Sequence, residues 1–424
     1  MLKKIFIVRA ARYFYFNIFK KVFFVDYIIE NIIRRISIYY NRGIEVSIIA
    51  NFENKALYDD YFFRINWYLK PISNSIKTIN FSSSFFNEKR EIPEYLNSTI
   101  KNHLIEEKKI VFNKNIKKKF YHNKFNFIVL NCSASEHKKF NKNEILFNSH
   151  EYGMGTLNSL KFGELNFNNR KLIKQSYKKL LQIKNASKSN SILLIGSGPN
   201  SNELESKDLD DVDVMICNSV VKDQEFLDKF PPRYIVFADP GFHAGPSRYV
   251  EEFHKSLIQT IEKFDSFVIT VKRDAHIIYE YIPKKYHKNF LFVPYVKTNK
   301  KTMLNFNLTK KYFVAGTNNI LTLLMLPVAF HLYENIFFAG FDGNPDKNKN
   351  YYWKHNSSLQ FVSEMNSMEK AHTYYFNKNK TDYDIYYDVH IKNLKNWFNL
   401  RNLGTHKLYN LTTSNIELFQ KIYL

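Results

Sequence analysis

The sequence predicts an α/β protein whose main domain is a Rossmann-like, mostly parallel sheet with helices on both faces. From residue 191 onward, short apolar runs alternate with helical patterns, which is the order of a parallel sheet. The first run stops at Gly196-Ser-Gly-Pro-Asn200, a turn that exposes backbone N–H groups where α/β sheets bind nucleotides. The second run, Asp213-Val-Met-Ile-Cys-Asn218, repeats the design and also closes on a polar residue.

Seven apolar runs predict the strands of this domain. They cover residues 192–195, 212–217, 234–238, 266–271, 291–293, 336–339 and 407–411. Helical periodicity between the runs predicts helices at 250–264, 318–333 and 390–400. This alternation favours parallel pairing, because a parallel pair needs a long crossover connection, which is usually a helix.

The chain of 424 residues is long enough for two or three domains. Residues 1–167 are predicted to form an N-terminal α+β domain, with a helix near 28–36 and strands near 44–50 and 125–131. The sequence leaves the role of this domain open between docking on a membrane, binding an acceptor and contributing a second half to the cleft. A basic helical stretch at 168–190 predicts a linker, and residues 191–424 form the Rossmann-like domain.

The net charge of +22 indicates an anionic partner, although solvated lysines account for part of the excess. Nucleic acid, an acidic membrane surface and anionic substrates all fit that charge. A hydrophobic content of 45% excludes an intrinsically disordered chain. The sequence shows no RRM, OB-fold or helix-turn-helix signature, so binding to nucleic acid is the weaker alternative and is not predicted.

The sequence predicts a cytoplasmic protein. Charged residues interrupt the apolar N-terminus, and no run of eighteen uncharged apolar residues occurs. The first 50 residues, rich in aromatic and basic side chains, predict either a core helix and strand or a peripheral segment on the anionic inner face of the cytoplasmic membrane. The 2 cysteines are too few for a disulfide framework or a zinc site.

The residues that follow each predicted strand nominate a pocket, because ligands of doubly wound sheets lie beyond the carboxyl ends of the strands. They are Gly196–Asn200, Asn218, Asp239-Pro240, Gly316-Thr-Asn-Asn319, Gly340-Phe-Asp342 and Thr412-Thr-Ser414. Small residues, amides and hydroxyls dominate this set, which suits a sugar nucleotide. Hydride transfer from NAD is not favoured, because Asn218 stands where an acidic residue for the ribose is expected.

Two further segments contain residues that are suited to chemistry. Gly316-Thr-Asn-Asn319 precedes an apolar helix, so Thr317 or Asn318 is expected to cap that helix. The free N–H groups at the start of the helix favour binding of a phosphate or carboxylate. The alternative is a capped core helix without a ligand. A polar, aromatic segment after residue 342 holds tyrosines and His372, which titrates near neutrality and could accept a proton. The acidic run 208–213 precedes a strand and lies at the wrong end of the sheet, so no metal site is predicted.

This arrangement resembles bacterial sialyltransferases of glycosyltransferase family 42 and, more distantly, motility-accessory-factor glycosyltransferases. The resemblance covers about residues 191–415. Its signposts are Gly196-Ser-Gly-Pro-Asn200, Asp213-Val-Met-Ile-Cys-Asn218, Val236-Phe-Ala-Asp-Pro240, Gly316-Thr-Asn-Asn319, Ala339-Gly-Phe-Asp342 and Lys407-Leu-Tyr-Asn-Leu411. Residues 1–190 lie outside this resemblance.

The resemblance implies a GT-A-like variant of the Rossmann fold that uses a CMP-activated sugar, needs no metal and inverts the anomeric centre. It implies no cofactor besides the CMP-sugar donor. The implied donor-binding residues are Gly196, Ser197, Gly198, Asn218, Asp239, Thr317, Asn318 and Asp342, of which Thr317 and Asn318 face the sugar carboxylate. Tyr351 and Tyr352 would bond the leaving phosphate, and His372 would be the general base.

Several positions depart from the family pattern. Ser197 replaces an asparagine, and Asp239 replaces the asparagine of an Asn-Pro pair, which places a charge beside the donor sugar. The sequence therefore leaves three kinds of donor open: CMP-sialic acid, related CMP-nonulosonic acids and CMP-Kdo. The family's His-Tyr-x-Gly-His pattern is absent, so His390 competes with His372 as the base.

The leading hypothesis is a transferase that moves an acidic sugar to a surface glycan or glycolipid. A motility-accessory-type enzyme acting on a protein acceptor is the alternative. A membrane-associated scaffold with an inactive site is a third hypothesis, and the sequence fixes neither the acceptor nor the oligomeric state.

Overall fold

A computed structural model describes residues 44–49, 76–82, 110–112, 127–132, 144–147, 169–186, 189–207, 209, 211–245, 247–297, 304–343, 358–371, 383–400 and 406–424. The chain divides into two compact units, Met1–Gly163 and Glu164–Leu424. In the part of the chain that the structure describes, no helix is both long and apolar enough to cross a lipid bilayer.

The first unit contains a five-stranded parallel sheet in the order β3-β2-β1-β4-β5. Its strands are β1 (Ile44–Ile49), β2 (Ile76–Ser82), β3 (Ile110–Phe112), β4 (Phe127–Cys132) and β5 (Glu144–Phe147). The two predicted strands are confirmed as β1 and β4. The sequence predicts an α+β arrangement for this unit. The sheet differs from that prediction, because all four of its strand pairings are parallel, as in α/β domains. The helix predicted at 28–36 lies outside the described residues.

The second unit is built on a seven-stranded parallel sheet flanked by helices, which confirms the predicted Rossmann-like α/β fold. All seven predicted strands are present within about two residues of their expected bounds. They are β6 (Ser191–Ile195), β7 (Asp213–Cys217), β8 (Pro232–Phe237), β9 (Phe267–Val271), β10 (Phe290–Val293), β13 (Asn335–Ala339) and β14 (Lys407–Asn410). A separate parallel pair, β11 (Tyr295–Lys297) and β12 (Val314–Gly316), was not predicted.

Nine α-helices accompany the strands among the residues described. They are α1 (Asn169–Ala186), α2 (Gln224–Lys229), α3 (Pro240–His243), α4 (Arg248–Phe264), α5 (Ala275–Tyr281), α6 (Leu326–Leu332), α7 (Val362–Ala371), α8 (Tyr383–Leu400) and α9 (Glu417–Gln420). The stretch predicted as a helical linker forms α1, which lies in the second unit and buries Leu180 and Ile183 in its core. The helix predicted at 318–333 begins as a π-turn, Leu321–Met325, before α6. Pro327 in α6 lacks the N–H that a regular α-helical turn would need there.

The strand order β10-β9-β8-β7-β6-β13-β14 contains one topological switch point. From β6 the chain adds four strands in one direction, and it then returns to place β13 on the other side of β6. The connections after β6 and β13 consequently diverge and leave a crevice at the carboxyl edge of the sheet. In open α/β sheets this is the position at which ligands bind.

Asp213 lies at the opposite, amino end of β7, where it joins a polar cluster. Its carboxylate accepts two hydrogen bonds from Arg233, at 2.9 and 3.1 Å, and a third at 2.5 Å from the hydroxyl of Tyr333. Tyr333 also shares a 2.8 Å hydrogen bond with the buried hydroxyl of Tyr234. Among the residues described, no group of three His, Cys, Asp or Glu could hold a metal ion.

Replacement of Tyr333 by phenylalanine should destabilise the second unit by about 1–2 kcal/mol. The change removes the bond to Asp213 and strands the buried Tyr234 hydroxyl, but it leaves Arg233 paired. Urea denaturation of the two proteins measures the difference. The matched control is Tyr409→Phe, at a half-exposed ring that stacks on Phe337 with 5.0 Å between centroids. Equal losses of unfolding free energy in the two variants would contradict a stabilising role for the polar cluster around Asp213.

Candidate functional site

Two glycine-bearing loops touch each other at the switch point and form the floor of the crevice. The N–H of Gly196 donates to the carbonyl of Ala339 at 2.9 Å, and the N–H of Gly198 donates to the carbonyl of Gly340 at 3.0 Å. A Cβ atom at Gly196 would stand 2.5 Å from the Gly340 oxygen, and Gly340 itself adopts a φ of +70°. Only glycine permits this approach of the two backbones. Gly196 and Gly198 therefore shape the crevice while their own N–H groups are already paired.

Asp342 presents a buried carboxylate beside the glycine turn. One oxygen accepts the N–H of Asn200 at 2.9 Å, whereas Oδ1 has no hydrogen-bond partner among the residues described. Burial raises the pKa of Asp342 to about 6, and the charge of Glu203 adds to this effect while the Asn200 bond opposes it. A buried acceptor without a donor is uncommon in folded proteins and suits the hydroxyl of a ligand.

Asn218 lies at the end of β7, next to the glycine turn at the end of β6. Its backbone is left-handed, with a φ of +48°, a conformation that asparagine tolerates better than most residues. The side chain is half-buried, and its Oδ1 has no hydrogen-bond partner among the described residues. The amide offers both an acceptor and two donors, so Asn218 and Asp342 together present polar atoms that a bound nucleoside could satisfy.

Asp239 follows β8 and extends the same edge of the sheet. It is exposed and has a φ of +77°, while its carbonyl accepts the N–H groups of Phe242 and His243 at 3.2 and 3.1 Å. A left-handed aspartate costs of order 1–3 kcal/mol, and such strain clusters at functional positions. The structure therefore places a negative charge at the strand next to Asn218, as the sequence predicts.

The segment after β12 differs in detail from its prediction. The helix cap is Asn319, whose Oδ1 accepts the N–H of Leu321 at 2.9 Å, and not Thr317 or Asn318. Thr317 instead accepts a hydrogen bond from the hydroxyl of Thr322 at 2.9 Å, and Asn318 is exposed. Because Asn319 caps the helix, the side chains of Thr317 and Asn318 are not needed for that purpose.

The residues after β14 are hydrogen-bonded to the segments that follow β6 and β13. The hydroxyl of Thr412 accepts the N–H of Gly340 at 3.0 Å, and the side-chain amide of Asn200 donates to the carbonyl of Thr413 at 2.8 Å. Glu203 accepts the N–H of Thr413 at 2.8 Å. These bonds fix the strand ends of β6, β13 and β14 relative to one another. Glu203 was not identified from the sequence, since nothing local distinguishes it from a solvent-exposed glutamate.

Another group missed by sequence reasoning holds the segment before α7 against the ends of β7 and β8. Tyr249 donates to Oε1 of Gln360 at 2.7 Å, and Nζ of Lys222 donates to the Gln360 carbonyl at 2.8 Å. The ring of Phe361 packs edge-on against Tyr249, with 5.4 Å between centroids. The contact is between residues 111 apart, so no local pattern in the sequence announces it.

The predicted catalytic residues Tyr351, Tyr352 and His372 lie outside the described residues. The competing base, His390, is described on α8, where it is only 4% exposed. Burial lowers the pKa of His390 to about 4, which keeps the imidazole neutral but makes it a weak base. A general base must also reach the proton it removes, and so deeply buried a ring is poorly suited to that task.

A comparison of the chain with protein-family models, with curated proteins and with solved structures found no match in any of the three. The resemblance to glycosyltransferase family 42 therefore rests on the short motifs alone and stays a prediction.

Asp342→Asn should stabilise the protein at pH 7.5 by roughly 2–3 kcal/mol, and the difference should vanish near pH 4. The carboxyl of Asp342 has its pKa raised to about 6, so protonation favours the folded state, and the wild type loses that stability as the pH rises from about 4 to about 6. Asparagine is neutral and can still accept the N–H of Asn200. Urea denaturation across this pH range measures the difference.

The matched control is Asp388→Asn, at an exposed position on α8. Burial does not act on this exposed carboxylate, so its replacement should not stabilise the protein at pH 7.5. A stability difference between Asp342→Asn and the wild type that does not depend on pH would contradict the raised pKa of Asp342.

Proposed function

We propose that the second unit is a nucleotide-sugar glycosyltransferase that uses a CMP-linked acidic sugar. The observation that supports this most directly is a pair of buried acceptors, Oδ1 of Asn218 and Oδ1 of Asp342, which have no hydrogen-bond partner among the described residues and follow the two strands that flank β6 at the switch point. A nucleoside monophosphate brings hydroxyl and amino donors that such acceptors need. An apolar or purely anionic ligand would leave them unpaired.

The distribution of charge in the crevice favours a nucleotide carrying few phosphates. Two carboxylates, Asp239 and Asp342, lie at the carboxyl edge of the sheet, and the Gly196 and Gly198 N–H groups are engaged by the neighbouring loop. A nucleoside diphosphate or triphosphate would face this acidic edge without the usual row of free N–H groups. The single phosphodiester of a CMP-sugar meets less repulsion.

In this proposal each strand end has its own task. Asn218 and Asp342 hold the nucleoside, while Ser197, Thr317 and Asn318 bond the phosphate and the sugar carboxylate. Tyr351 and Tyr352 would donate to the departing phosphate, as the resemblance implies, and His372 would take the proton from the acceptor hydroxyl. The burial of His390 supports the choice of His372 as the base. No metal or other cofactor enters the proposed mechanism.

The acceptor is proposed to be a surface glycan or glycolipid, and the protein is proposed to work in the cytoplasm at the inner face of the membrane. The net charge of +22 supports this proposal, since the anionic lipid surface attracts basic proteins. A protein acceptor, as in motility-accessory enzymes, is the alternative. No described feature favours it over a glycan.

Thermal unfolding in the presence of CMP, CDP, UDP, GDP or NAD tests the proposed donor class. CMP at 100 times its Kd should stabilise the protein by about 2.7 kcal/mol without added metal, and the other nucleotides should stabilise it less. Asn218→Asp should weaken CMP binding at least tenfold, because it sets a carboxylate against the ligand while keeping a residue that tolerates left-handed backbone. The control Asn396→Asp, exposed on α8, should bind CMP like the wild type.

Stabilisation by UDP or GDP but not by CMP would contradict the proposed donor. A wild-type protein that responds to none of the five nucleotides would contradict nucleotide binding altogether.

A further inference from the structure

Arg273 is held in one orientation at the carboxyl edge of the sheet. It belongs to a 3-10 turn, Lys272–Asp274, that follows β9 directly. Its Nε and Nη2 donate to the two carboxylate oxygens of Asp274 at 2.9 and 3.1 Å. The guanidinium also lies over the ring of Tyr295, with Cζ 5.6 Å from the centroid. A carboxylate and an aromatic ring thus fix a side chain that is otherwise one of the most flexible.

This arrangement leaves hydrogen-bonding capacity on the solvent side of Arg273. A guanidinium carries five N–H donors in a planar fork; Asp274 accepts two of them along one edge, and the side chain of Tyr295 is a further hydrogen-bond partner. The Arg273 side chain is 42% exposed, whereas that of Asp274 is only 4% exposed. The carboxylate is therefore the buried support, and the cation is the part that faces solvent. A second carboxylate can approach the edge of the guanidinium that Asp274 does not occupy.

Arg273 also lies between the two loops that are nominated for the donor sugar. On one side, β9 pairs with β8, with Phe237 opposite Thr270, so the turn of Arg273 and Asp239 follow neighbouring strands at the same edge of the sheet. On the other side, Tyr295 packs against Gly316, where an added Cβ would stand 3.1 Å from the tyrosine ring. Gly316 is followed by Thr317. A sugar that reaches both loops passes the exposed guanidinium.

We propose that Arg273, with Asp274 and Tyr295 as its supports, binds the carboxylate of the acidic donor sugar. This inference rests on the proposed function and deepens it by assigning a recognition site to the sugar. Asp239 gives the electrostatic reason, since its exposed carboxylate would repel an acidic sugar unless a cation stood nearby. Arg273 supplies that cation from the adjacent strand.

The test compares the binding of CMP, which lacks the sugar carboxylate, with that of CMP-N-acetylneuraminate and CMP-Kdo, which share it. Arg273→Gln should leave the Kd for CMP within about twofold and weaken both acidic CMP-sugars about tenfold to a hundredfold. Arg273→Lys keeps the charge but loses the planar fork, so its affinity for the acidic CMP-sugars should lie between that of the wild type and that of Arg273→Gln. Isothermal titration calorimetry measures all three ligands.

Lys272→Gln is the matched control, because it removes one positive charge from the adjacent, half-buried position in the same turn. Its binding of the acidic CMP-sugars should stay within about threefold of the wild type. Retained affinity for CMP in Arg273→Gln shows that the variant is folded.

The outcomes separate this inference from the proposed function. A wild type that binds CMP, combined with an Arg273→Gln variant that binds the acidic CMP-sugars equally well, would overturn the role of Arg273 alone. The role of Arg273 would also be overturned if the wild type binds CMP but binds neither acidic CMP-sugar more tightly than CMP. A loss of affinity in Lys272→Gln as large as that in Arg273→Gln would overturn it too. A wild type that binds none of the three ligands would overturn both proposals.

Discussion

The contact between the backbones of Gly196 and Gly340 is the constraint on which the site depends. The connections after β6 and β13 are joined at their first residues, before they diverge, by hydrogen bonds of 2.9 and 3.0 Å between their main chains. Any side chain at Gly196 would meet the Gly340 carbonyl within 2.5 Å. The same approach brings Asp342 against Gly198 and so creates the buried carboxylate. The polar chemistry of the crevice is thus a consequence of two backbones packing without side chains.

The carboxyl edge of the sheet carries negative side chains, although the net charge of the chain is positive. The protein carries a net charge of +22, yet Asp239 and Asp342 occupy two of the strand ends that form the crevice. Desolvation raises the pKa of Asp342 to about 6, so this group gains most from a ligand that donates a hydrogen bond to it. Arg273, held by Asp274 at the end of β9, restores positive charge farther along the edge. A ligand with hydroxyls at one end and a carboxylate at the other matches this order.

Much of the fold of the second unit could be predicted because its strands are continuous apolar runs, as buried parallel strands are. The run 192–195 became β6 with four of its five residues buried. In the first unit, β2 (Ile76–Ser82) carries Lys, Thr and Asn among its apolar residues, so its composition did not distinguish it from a loop. Parallel pairing there is a long-range property, which explains why an α+β arrangement was expected instead.

The site was predictable only where position along a strand determines it. Strand ends nominated Asn218, Asp239 and Asp342 correctly as residues of the carboxyl edge. The capping role of Asn319 was missed, because three consecutive polar residues can each cap a helix and the geometry of the turn decides among them. Side chains that act over long sequence separations, such as Glu203 and Gln360, leave no local signal.

Hydrogen–deuterium exchange with and without CMP tests the central claim that the switch-point crevice binds the nucleotide. Our account predicts slower exchange in three segments, 196–200, 218–222 and 340–343, which follow the adjacent strands β6, β7 and β13. Segments at the amino end of the sheet, such as the connection before β7, should exchange as in the free protein. Protection that appears elsewhere while all three segments remain unchanged would contradict the account.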